Sequence, residues 1–534
     1  MWYYQTYETV QNTKTTKRTA MQMLSRILDK IKNPTRPRSG FNPNIYTVDK
    51  IEGIIKENDE LKDQNEQLSK EKEQLSEENK KLRQELEKLQ TGNKALNKRL
   101  KMTSQNSSKP PSTDGYKKKI TNNRRKSNKK TGGQEGHAGV TLNKMEIPDE
   151  VVDIPLESDV CECGRSLLKI LDETKTRQVF DFIVKLFVTE YVVHTKKCLC
   201  GKIHSSEFPK GVTQPVEYGH SAKALMSLLT QYHFVPLERT CELIQDLFGI
   251  KPSEGTIVNT NSNLSDILET PVNMIKEQIK ASSVVHFDES GFRDNTSLEW
   301  MHVASTKNLT YYEMHPKRGY DAAEAVGILT GFIGTAVHDH WKSYYKFTDC
   351  NHGECNSHTL RYLRSIFEND SQEWAETMAG LLLEIKESVQ THKDTGKTSM
   401  LKEECKNWLE RYHSIIEQGY AEDEQKSPRI VSKKTGKCKN SGARQLLNRL
   451  QTYDIEHLAF MFDFDIPFDN NLSERDLRMQ KLRQKISGCF RGENGAKVFC
   501  RTRSYISTAR KNGIRAFDAI KQALEGNPFV PVNC

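Results

Sequence analysis

The sequence predicts a multidomain α+β protein, and three observations lead to that fold class. A leucine recurs every seven residues over a long polar stretch, which predicts a coiled coil. Two Cys-x-Cys pairs bracket a stretch rich in β-branched and aromatic residues, which predicts a small β domain. Farther along, three strand-like segments, a helical segment and a fourth strand-like segment follow one another. At 534 residues the chain is long enough for three or four domains.

Composition excludes a membrane span and argues against a disulfide framework. The chain has no apolar run of about 18 residues, and its amino terminus has no apolar signal core. Its 12 cysteines include short Cys-x-Cys pairs, which favour metal ligands and reduced thiols. We therefore expect a cytoplasmic protein with no membrane partner.

The net charge of +9 is informative because it is concentrated. Residues 474–515 carry twelve Lys or Arg against three acids, and residues 117–130 carry eight cations and no acid. A solvated surface is the ordinary explanation of one such run, but two clusters favour a phosphate-backbone partner. The cations that we expect to contact DNA are Lys117, Lys118, Lys119, Arg124, Arg125, Lys126, Lys129, Lys130, Arg475, Arg478, Lys481, Arg483, Lys485 and Arg491.

Residues 47–102 are predicted to form a parallel coiled coil. The leucine positions of the heptad hold Ile54, Leu61, Leu68, Leu75, Leu82, Leu89 and Leu96. Three residues before them asparagine is frequent, which weakens the seam but fixes its register and strand number. A single solvated helix would not explain six leucines and an isoleucine in phase. We expect a homodimer or higher oligomer. Residues 1–46 receive no function and are expected to be disordered.

Residues 103–139 read as a basic, flexible linker, and residues 140–215 as a zinc-ribbon-like β domain. The most strand-like stretch is RQVFDFIVKLFVTEYVVHTKKC. Two thiolate pairs joined by a β segment suit one structural Zn²⁺, and His204 could replace one thiol. The alternative is that the thiols never meet. The expected zinc ligands are Cys161, Cys163, Cys198 and Cys200.

Residues 216–280 are predicted to be helical and resemble a helix-turn-helix in spacing. An apolar-periodic helix is followed by Gly249, and Ser253 then opens a second helix. An ordinary helical hairpin has the same pattern, so DNA reading by this region is one of two interpretations.

Residues 281–370 have the strand and helix order of an RNase H-like sheet. Asp288 is expected to close the first strand and Asp339 the fourth, so the two carboxylates could face each other. Either aspartate alone would more commonly form a strand-end turn. With a third carboxylate they could hold two Mg²⁺ or Mn²⁺ ions, since these cations prefer oxygen ligands.

The segment FDNNLSERDLR supplies the third carboxylate, Glu474. Its spacing from Asn471 is also that of a capping box, so Glu474 could simply cap its own helix. The arginines and lysines that follow on the same helix favour a carboxylate beside DNA phosphates.

The motifs VVHFDESGF, HPKRG, AVHDHWKSY, CNSHTLR and DNNLSERDLRMQKLRQKISGCFRGENGAKVFCRTRSYISTARKNG together resemble the insertion sequence 66 family of DDE transposases. The resemblance implies that Asp288, Asp339 and Glu474 are the catalytic, Mg²⁺-binding triad. It implies that Cys355 and His358 order the neighbouring strand and helix. The alternative for this pair is a structural metal site with Cys350 and His352.

The resemblance further implies a helical insertion at residues 371–468, the last part of the catalytic domain at 469–525 and a tail at 526–534. The expected function is Mg²⁺-dependent DNA cleavage and strand transfer on double-stranded transposon ends and target. Accessory proteins of the same element are possible partners, and the expected setting is the bacterial nucleoid. Two alternatives remain: a non-catalytic, dimeric zinc and helix-turn-helix regulator, and a nuclease that cuts without joining.

Overall fold

The structure is a computed structural model, and it describes residues 22, 26, 48–103, 106–107, 144–154, 160–166, 176–182, 184–295, 297–426, 430–431, 438–490 and 493–531. The chain separates into two compact units, Met1–Lys101 and Met102–Cys534. The expectations for residues 1–46 and for the linker cations at 117–130 concern stretches almost wholly outside the described residues.

The first unit contains one long helix, α1 (Val48–Lys101). Its leucines from Leu61 to Leu96 at the heptad spacing are 50–69% exposed, so they form an apolar stripe along a charged helix. The side chains of Asn65 and Asn79 donate to the carbonyls of Leu61 and Leu75 within the same helix. The predicted helix is thus present, and its pairing with a second copy stays a prediction.

The predicted β domain contains little regular structure among its described residues. Strands β1 (Thr195–Lys197) and β2 (Ile203–Ser205) form a short antiparallel hairpin. The prediction of longer strands over residues 177–198 was wrong for the described residues up to His194, which pair with no neighbouring strand. Their apolar side chains lie in solvent, with Phe182 98% exposed. A strand needs a partner for its backbone hydrogen bonds, and the sequence pattern alone supplies none.

Residues 216–280 are helical, as expected. The helices are α2 (His220–Ser227), which continues into a π-helical turn, α3 (Leu237–Phe248), α4 (Glu254–Ile267) and α5 (Glu269–Lys280). Helix α3 ends at Gly249, which has the left-handed φ of 73° that glycine accepts without a Cβ clash. The Ser253 side chain accepts a hydrogen bond from the Thr256 N–H and so caps α4.

A five-stranded mixed sheet in the order β5-β4-β3-β6-β7 forms the centre of the second unit. The first three strands are antiparallel neighbours, whereas β6 and β7 run parallel to β3. The strands and the helix between them are β3 (Val284–Asp294), β4 (Ser297–Ser305), β5 (Thr310–His315), α6 (Tyr320–Val326), β6 (Thr335–His338) and β7 (Asn351–Glu354).

Both faces of this sheet are covered. Ala304 and Tyr311 pack with α4, α5 and the carboxy-terminal helix on one face. Their strand neighbours Val303 and Tyr312 pack on the other face with Leu477. Adjacent residues of a strand point to opposite faces, so the sheet is the middle of three layers.

A separate helical core follows β7. Its helices are α7 (Asn356–Asp370), α8 (Glu373–Asp394), α9 (Lys402–Lys426), α10 (Gly442–Thr452), α11 (Asp454–His457) and α12 (Ala459–Phe462), with the short strands β8 (Ile430–Val431) and β9 (Cys438–Lys439). Gly419 is needed here because a Cβ would stand 2.6 Å from Leu447 Cδ2 and 2.9 Å from the Trp374 ring. Helices α8 and α9 include the two helical segments expected from the sequence.

The chain then returns to the sheet through α13 (Asn471–Ser487), α14 (Glu493–Lys511) and α15 (Ala516–Leu524). Asp476 of α13 accepts hydrogen bonds from Ser305, Thr310 and Lys511, so it fastens this helix to the β4–β5 hairpin. Among the described helices, none combines the length and the apolar character needed to cross a membrane.

Candidate active site

Asp288 lies in the middle of β3, so the expectation that it closes the strand was wrong. Antiparallel pairing with β4 carries β3 on to Asp294. Parallel pairing with β6 stops earlier, with His286 opposite Val337. Asp288 and Asp339 each lie two residues beyond this last pair on their own segments, and the negative charge of Asp339 raises the pKa of Asp288, so the two carboxylates lie near each other. Neighbouring strands are about 4.8 Å apart, so the two aspartates flank the point where β6 leaves β3.

Asp339 directly follows β6, as expected. The Trp341 backbone N–H donates to its Oδ1 at 3.1 Å and to its carbonyl at 2.8 Å, which fixes the carboxylate in a tight turn. Burial raises the pKa of Asp339 to about 6, and the charge of Glu289 adds to the increase. The Trp341 N–H and the Arg318 guanidinium act in the opposite direction.

Glu474 lies in the first turn of α13. Its carboxylate oxygens are 3.7 Å from His358 Nδ1, 3.9 Å from an Arg361 nitrogen and 3.9 Å from an Arg478 nitrogen. Burial raises the pKa of Glu474, and the two arginines oppose the rise. The helix is preceded by Asn470 as its N-cap, so the capping-box spacing from Asn471 is not used.

Asn470 connects the three segments that carry these carboxylates. Its side-chain Nδ2 donates to the carbonyl of Phe287, the residue before Asp288, at 2.7 Å. Its backbone N–H donates to Cys355 Sγ at 3.2 Å, and the Cys355 N–H donates to the carbonyl of His338. Its own carbonyl accepts the Glu474 N–H at 3.3 Å. One buried residue thus links β3, β6 and α13 within one position of each carboxylate-bearing residue.

The carboxylates also affect one another electrostatically. Burial raises the pKa of Asp288 well above its ordinary value, and the negative charges of Glu289, Asp339 and Glu474 raise it further. Oxygen ligands in an excess of negative charge suit a hard divalent cation, whose charge would offset their repulsion. The three predicted residues therefore fit Mg²⁺ or Mn²⁺ by donor type and charge.

Glu289 is a fourth buried carboxylate that the sequence reasoning missed. It accepts hydrogen bonds from Arg318 at 2.8 Å and from the Tyr344 hydroxyl. The Arg318 guanidinium also stacks 3.5 Å over the Trp341 ring. Strand alternation points Glu289 to the sheet face opposite that of Asp288. The sequence shows the motifs ESGF and HPKRG but gives no sign that they pair.

Further buried polar groups surround Asp339. His338 stacks on Tyr344 with ring centroids 4.6 Å apart, and burial lowers its pKa to about 4. On β7, Glu354 contacts His340 and accepts from the Tyr345 hydroxyl. Burial alone would raise the pKa of Glu354, but neighbouring histidines and an arginine lower it below its ordinary value. These contacts tie the turn after β6 to β7.

Cys355 and His358 lie at the start of α7 and face Glu474. In the part of the chain that the structure describes, they and Glu474 are the one group of three metal-ligating side chains whose ligand atoms all lie within 4.8 Å of one another. Cys350 and His352 do not join them. His352 instead contacts His338 at 3.0 Å and the Phe347 carbonyl at 3.0 Å.

The cations of α13 divide into two kinds. Arg475, Arg478, Lys481 and Lys485 are exposed. Arg483 is half-buried, with its guanidinium 3.6 Å from the Phe490 ring centroid, and burial lowers its pKa to about 10. Arg483 thus serves packing in this structure, and its predicted DNA contact remains a prediction. Arg491 lies outside the described residues.

The two Cys-x-Cys pairs fold into matching turns. The Gly164 N–H donates to the Cys161 carbonyl at 2.7 Å, and the Gly201 N–H donates to the Cys198 carbonyl at 2.8 Å. Both glycines have a positive φ, of 80° and 89°. Among the described residues, however, no three of the four exposed thiols come within 4.8 Å of one another. A zinc ion shared by Cys161, Cys163, Cys198 and Cys200 therefore stays a prediction.

A family model described as "Transposase IS66 family" matches residues 217–498, which contain the whole sheet, the helical core and α13. The chain belongs to the IS66 transposase family. A second model, of a family of unknown function (DUF6444), matches residues 52–143.

The sequence of this IS66 family member matches no curated protein. A similar solved structure is titled "Drosophila P element transposase strand transfer complex". It is 11% identical, with a TM-score of 0.30, over 56% of this chain and 94% of that chain. So low a score carries no argument about this protein.

Proposed function

We propose that this IS66 family transposase cuts and joins DNA strands in a Mg²⁺-dependent reaction, with Asp288, Asp339 and Glu474 as the metal ligands. The single observation that carries the proposal is the parallel β3–β6 pairing, whose last pair, His286 and Val337, lies two residues before Asp288 and Asp339. The hydrogen bonds of Asn470 support the same assignment for Glu474.

Two Mg²⁺ ions, when bound, would activate the attacking oxygen and offset charge on the leaving oxygen of an in-line displacement. In cleavage, a water oxygen bonds to the scissile phosphorus, the bond to the 3′ oxygen breaks and that oxygen takes up a proton. In joining, the oxygen of the new 3′-hydroxyl bonds to a target phosphorus, the bond to a target 3′ oxygen breaks, and that oxygen takes up the proton the hydroxyl loses. The protein's own part is to hold three carboxylates rigidly, since no side-chain nucleophile is needed.

The exposed cations of α13 would bind DNA phosphates beside this site. Arg478 is one helical turn from Glu474 and contacts it, so a backbone held there would lie next to the carboxylates. Helices α3 and α4 are a second candidate surface, with helix-turn-helix spacing. Family membership supports DNA as the partner in both cases.

The proposed architecture follows the expected domain limits. The mixed sheet with helices on both faces supports an RNase H-like catalytic domain split by the helical insertion. The exposed leucine stripe of α1 supports a parallel coiled-coil dimer. The two Cys-x-Cys turns would supply four thiolate ligands to a structural Zn²⁺ where they come together in the DNA-bound or dimeric protein.

A labelled transposon-end duplex incubated with the full chain and Mg²⁺ tests the proposal. Asp288→Asn, Asp339→Asn and Glu474→Gln should each bind the duplex but lose nicking and joining. The matched control is Asp349→Asn, an exposed aspartate of the same domain, which should retain both reactions. Wild-type joining by any of the three variants would remove that carboxylate from the triad.

The same experiment separates the alternatives. A non-catalytic regulator predicts tight duplex binding with no Mg²⁺-dependent nick in the wild type. A nuclease predicts nicks but no transfer of a supplied 3′-hydroxyl end to target DNA. Either result would overturn the transposition reaction for this chain.

A further inference from the structure

Cys355 and His358 occupy one face at the amino-terminal end of α7. Cys355 is the N-cap and His358 lies three residues on, so their side chains are neighbours across the first turn. The Cys355 N–H is held by the His338 carbonyl at 3.0 Å, and its sulfur accepts the Asn470 N–H. The position of Cys355 is therefore fixed by the sheet and by the residue that caps α13.

Two buried polar atoms beside Cys355 have no hydrogen-bond partner. His358 Nδ1 and Glu474 Oε1 are both buried without a hydrogen-bond partner. They stand 3.7 Å apart, which is too long for a hydrogen bond. Buried polar atoms are nearly always satisfied, so such a facing pair calls for a ligand.

The spacing suits a tetrahedral cation. Zn²⁺ bonds of about 2.0–2.3 Å place ligand atoms about 3.3–3.8 Å apart. The Nδ1–Oε1 distance of 3.7 Å lies at the upper end of this range. The Cys355 sulfur, one ring nitrogen of His358 and one carboxylate oxygen of Glu474 all lie within 4.8 Å of one another. A small inward movement of the sulfur would complete three protein ligands and leave the fourth position to water.

The donor set and the charge select the class of cation. One sulfur, one imidazole nitrogen and one carboxylate oxygen favour Zn²⁺ or Co²⁺, whereas Mg²⁺ prefers oxygen ligands alone. A Cys355 thiolate and the Glu474 carboxylate together balance a divalent charge, so Arg361, 3.9 Å from Oε1, is no obstacle. The Asn470 N–H directed at the sulfur would stabilise the thiolate.

We propose that Cys355 Sγ, His358 Nδ1 and Glu474 Oε1 form a site for a zinc-class cation beside the proposed Mg²⁺ site. The site shares only Glu474 with the proposed catalytic triad, and it does not require DNA cleavage. A bound cation would hold Glu474 through Oε1 and leave its other oxygen to the proposed Mg²⁺ site. The site thereby sets the orientation of that carboxylate.

Co²⁺ is the probe, because sulfur-to-cobalt charge transfer reports a thiolate ligand. The protein is the full chain with the four Cys-x-Cys cysteines changed to serine, which removes the two exposed thiol pairs. It should bind one Co²⁺ with this band. Cys355→Ser should lose the band. His358→Asn should weaken Co²⁺ binding by more than about 100-fold, which exceeds the loss expected for a residue that only contacts a metal ligand.

Cys350→Ser is the matched control, since Cys350 is also buried but lies beside His352. It should keep the band. A band that survives Cys355→Ser, that disappears in Cys350→Ser, or that never forms would overturn the proposal. Because Cys355→Ser could unfold the protein, Zn²⁺ is also added in melting experiments. The melting temperature should rise for the parent and for Asp288→Ala but not for a folded His358→Asn.

The Asp288→Ala arm separates this inference from the proposed function. Asp288 is not one of the three proposed ligands, so its loss should abolish Mg²⁺-dependent cleavage while Co²⁺ binding persists. A normal cobalt band with no DNA cleavage by the wild type would refute only the proposed catalysis. DNA cleavage with no cobalt band would refute only the proposed zinc-class cation site.

Discussion

Replacing Asn470 with alanine should lower the free energy of unfolding of the second unit and raise the Mg²⁺ concentration needed for half-maximal cleavage. The side chain is 1% exposed and makes two hydrogen bonds, a donation to the Phe287 carbonyl at 2.7 Å and a contact with His286 Nδ1 at 2.8 Å. Because Asn470 Nδ2 donates to the Phe287 carbonyl, Asn470 Oδ1 must accept a hydrogen bond, and its donor is the Nδ1–H of His286. Burial lowers the pKa of His286, which agrees with a neutral ring of that tautomer.

The size of the effect follows from what alanine leaves behind. Two buried partners lose their hydrogen bonds, at about 1–3 kcal/mol each, so the free energy of unfolding should fall by about 2–6 kcal/mol. Asn471→Ala is the matched control, because Asn471 is exposed and its backbone N–H bond to Asp469 survives the change. Its effect should stay within about 0.5 kcal/mol.

The assay combines thermal unfolding with Mg²⁺ titration of end cleavage well below the melting temperature. A purely structural loss reduces the active fraction without moving the Mg²⁺ concentration for half-maximal cleavage. Displacement of Glu474 relative to Asp288 should raise that concentration at least tenfold. An unchanged Mg²⁺ midpoint, or equal behaviour of Asn470→Ala and Asn471→Ala, would refute the role assigned to Asn470.

The pKa of Asp339 is raised to about 6 from an ordinary 3.8, so between these pH values the native protein without metal binds more protons than the unfolded chain. The free energy of unfolding should therefore fall as the pH rises from about 4 to 6. Asp339→Asn should flatten that part of a plot of melting temperature against pH. Leu75→Asp with Leu82→Asp should abolish the dimer in sedimentation measurements, whereas Gln74→Asp with Glu78→Gln, off the leucine positions, should not. Arg478→Ala should reduce the slope of log DNA-binding constant against log salt concentration by about one, and an unchanged slope would contradict a phosphate contact. Arg483→Ala should mainly lower the melting temperature, because its guanidinium packs on Phe490.

Local sequence signals predicted the elements that owe little to distant partners. The heptad pattern predicted α1, Ser253 and Gly249 marked the ends of α4 and α3, and apolar periodicity predicted helices in the segment between Asp339 and Glu474. The strand order around Asp288 and Asp339 was also readable, because buried strands leave continuous apolar runs.

The errors arose where the structure depends on a partner that sequence does not specify. Residues 177–194 look like strands, but those that are described find no neighbouring strand to bond with. Arg483 resembles its basic neighbours on α13, yet only it lies over Phe490. Glu289 was not among the predicted site residues, yet it pairs with Arg318, 29 residues away.

The sequence by itself determined the membership of this protein in a transposase family, its candidate carboxylates and its apolar heptad stripe, because those features depend on residue type and spacing. Tertiary structure alone decided that Asn470 links the three carboxylate-bearing segments and that Glu474 turns one oxygen towards Cys355 and His358. Hydrogen bonds between residues more than a hundred positions apart depend on the packed register of strands and helices, and no local pattern encodes that register.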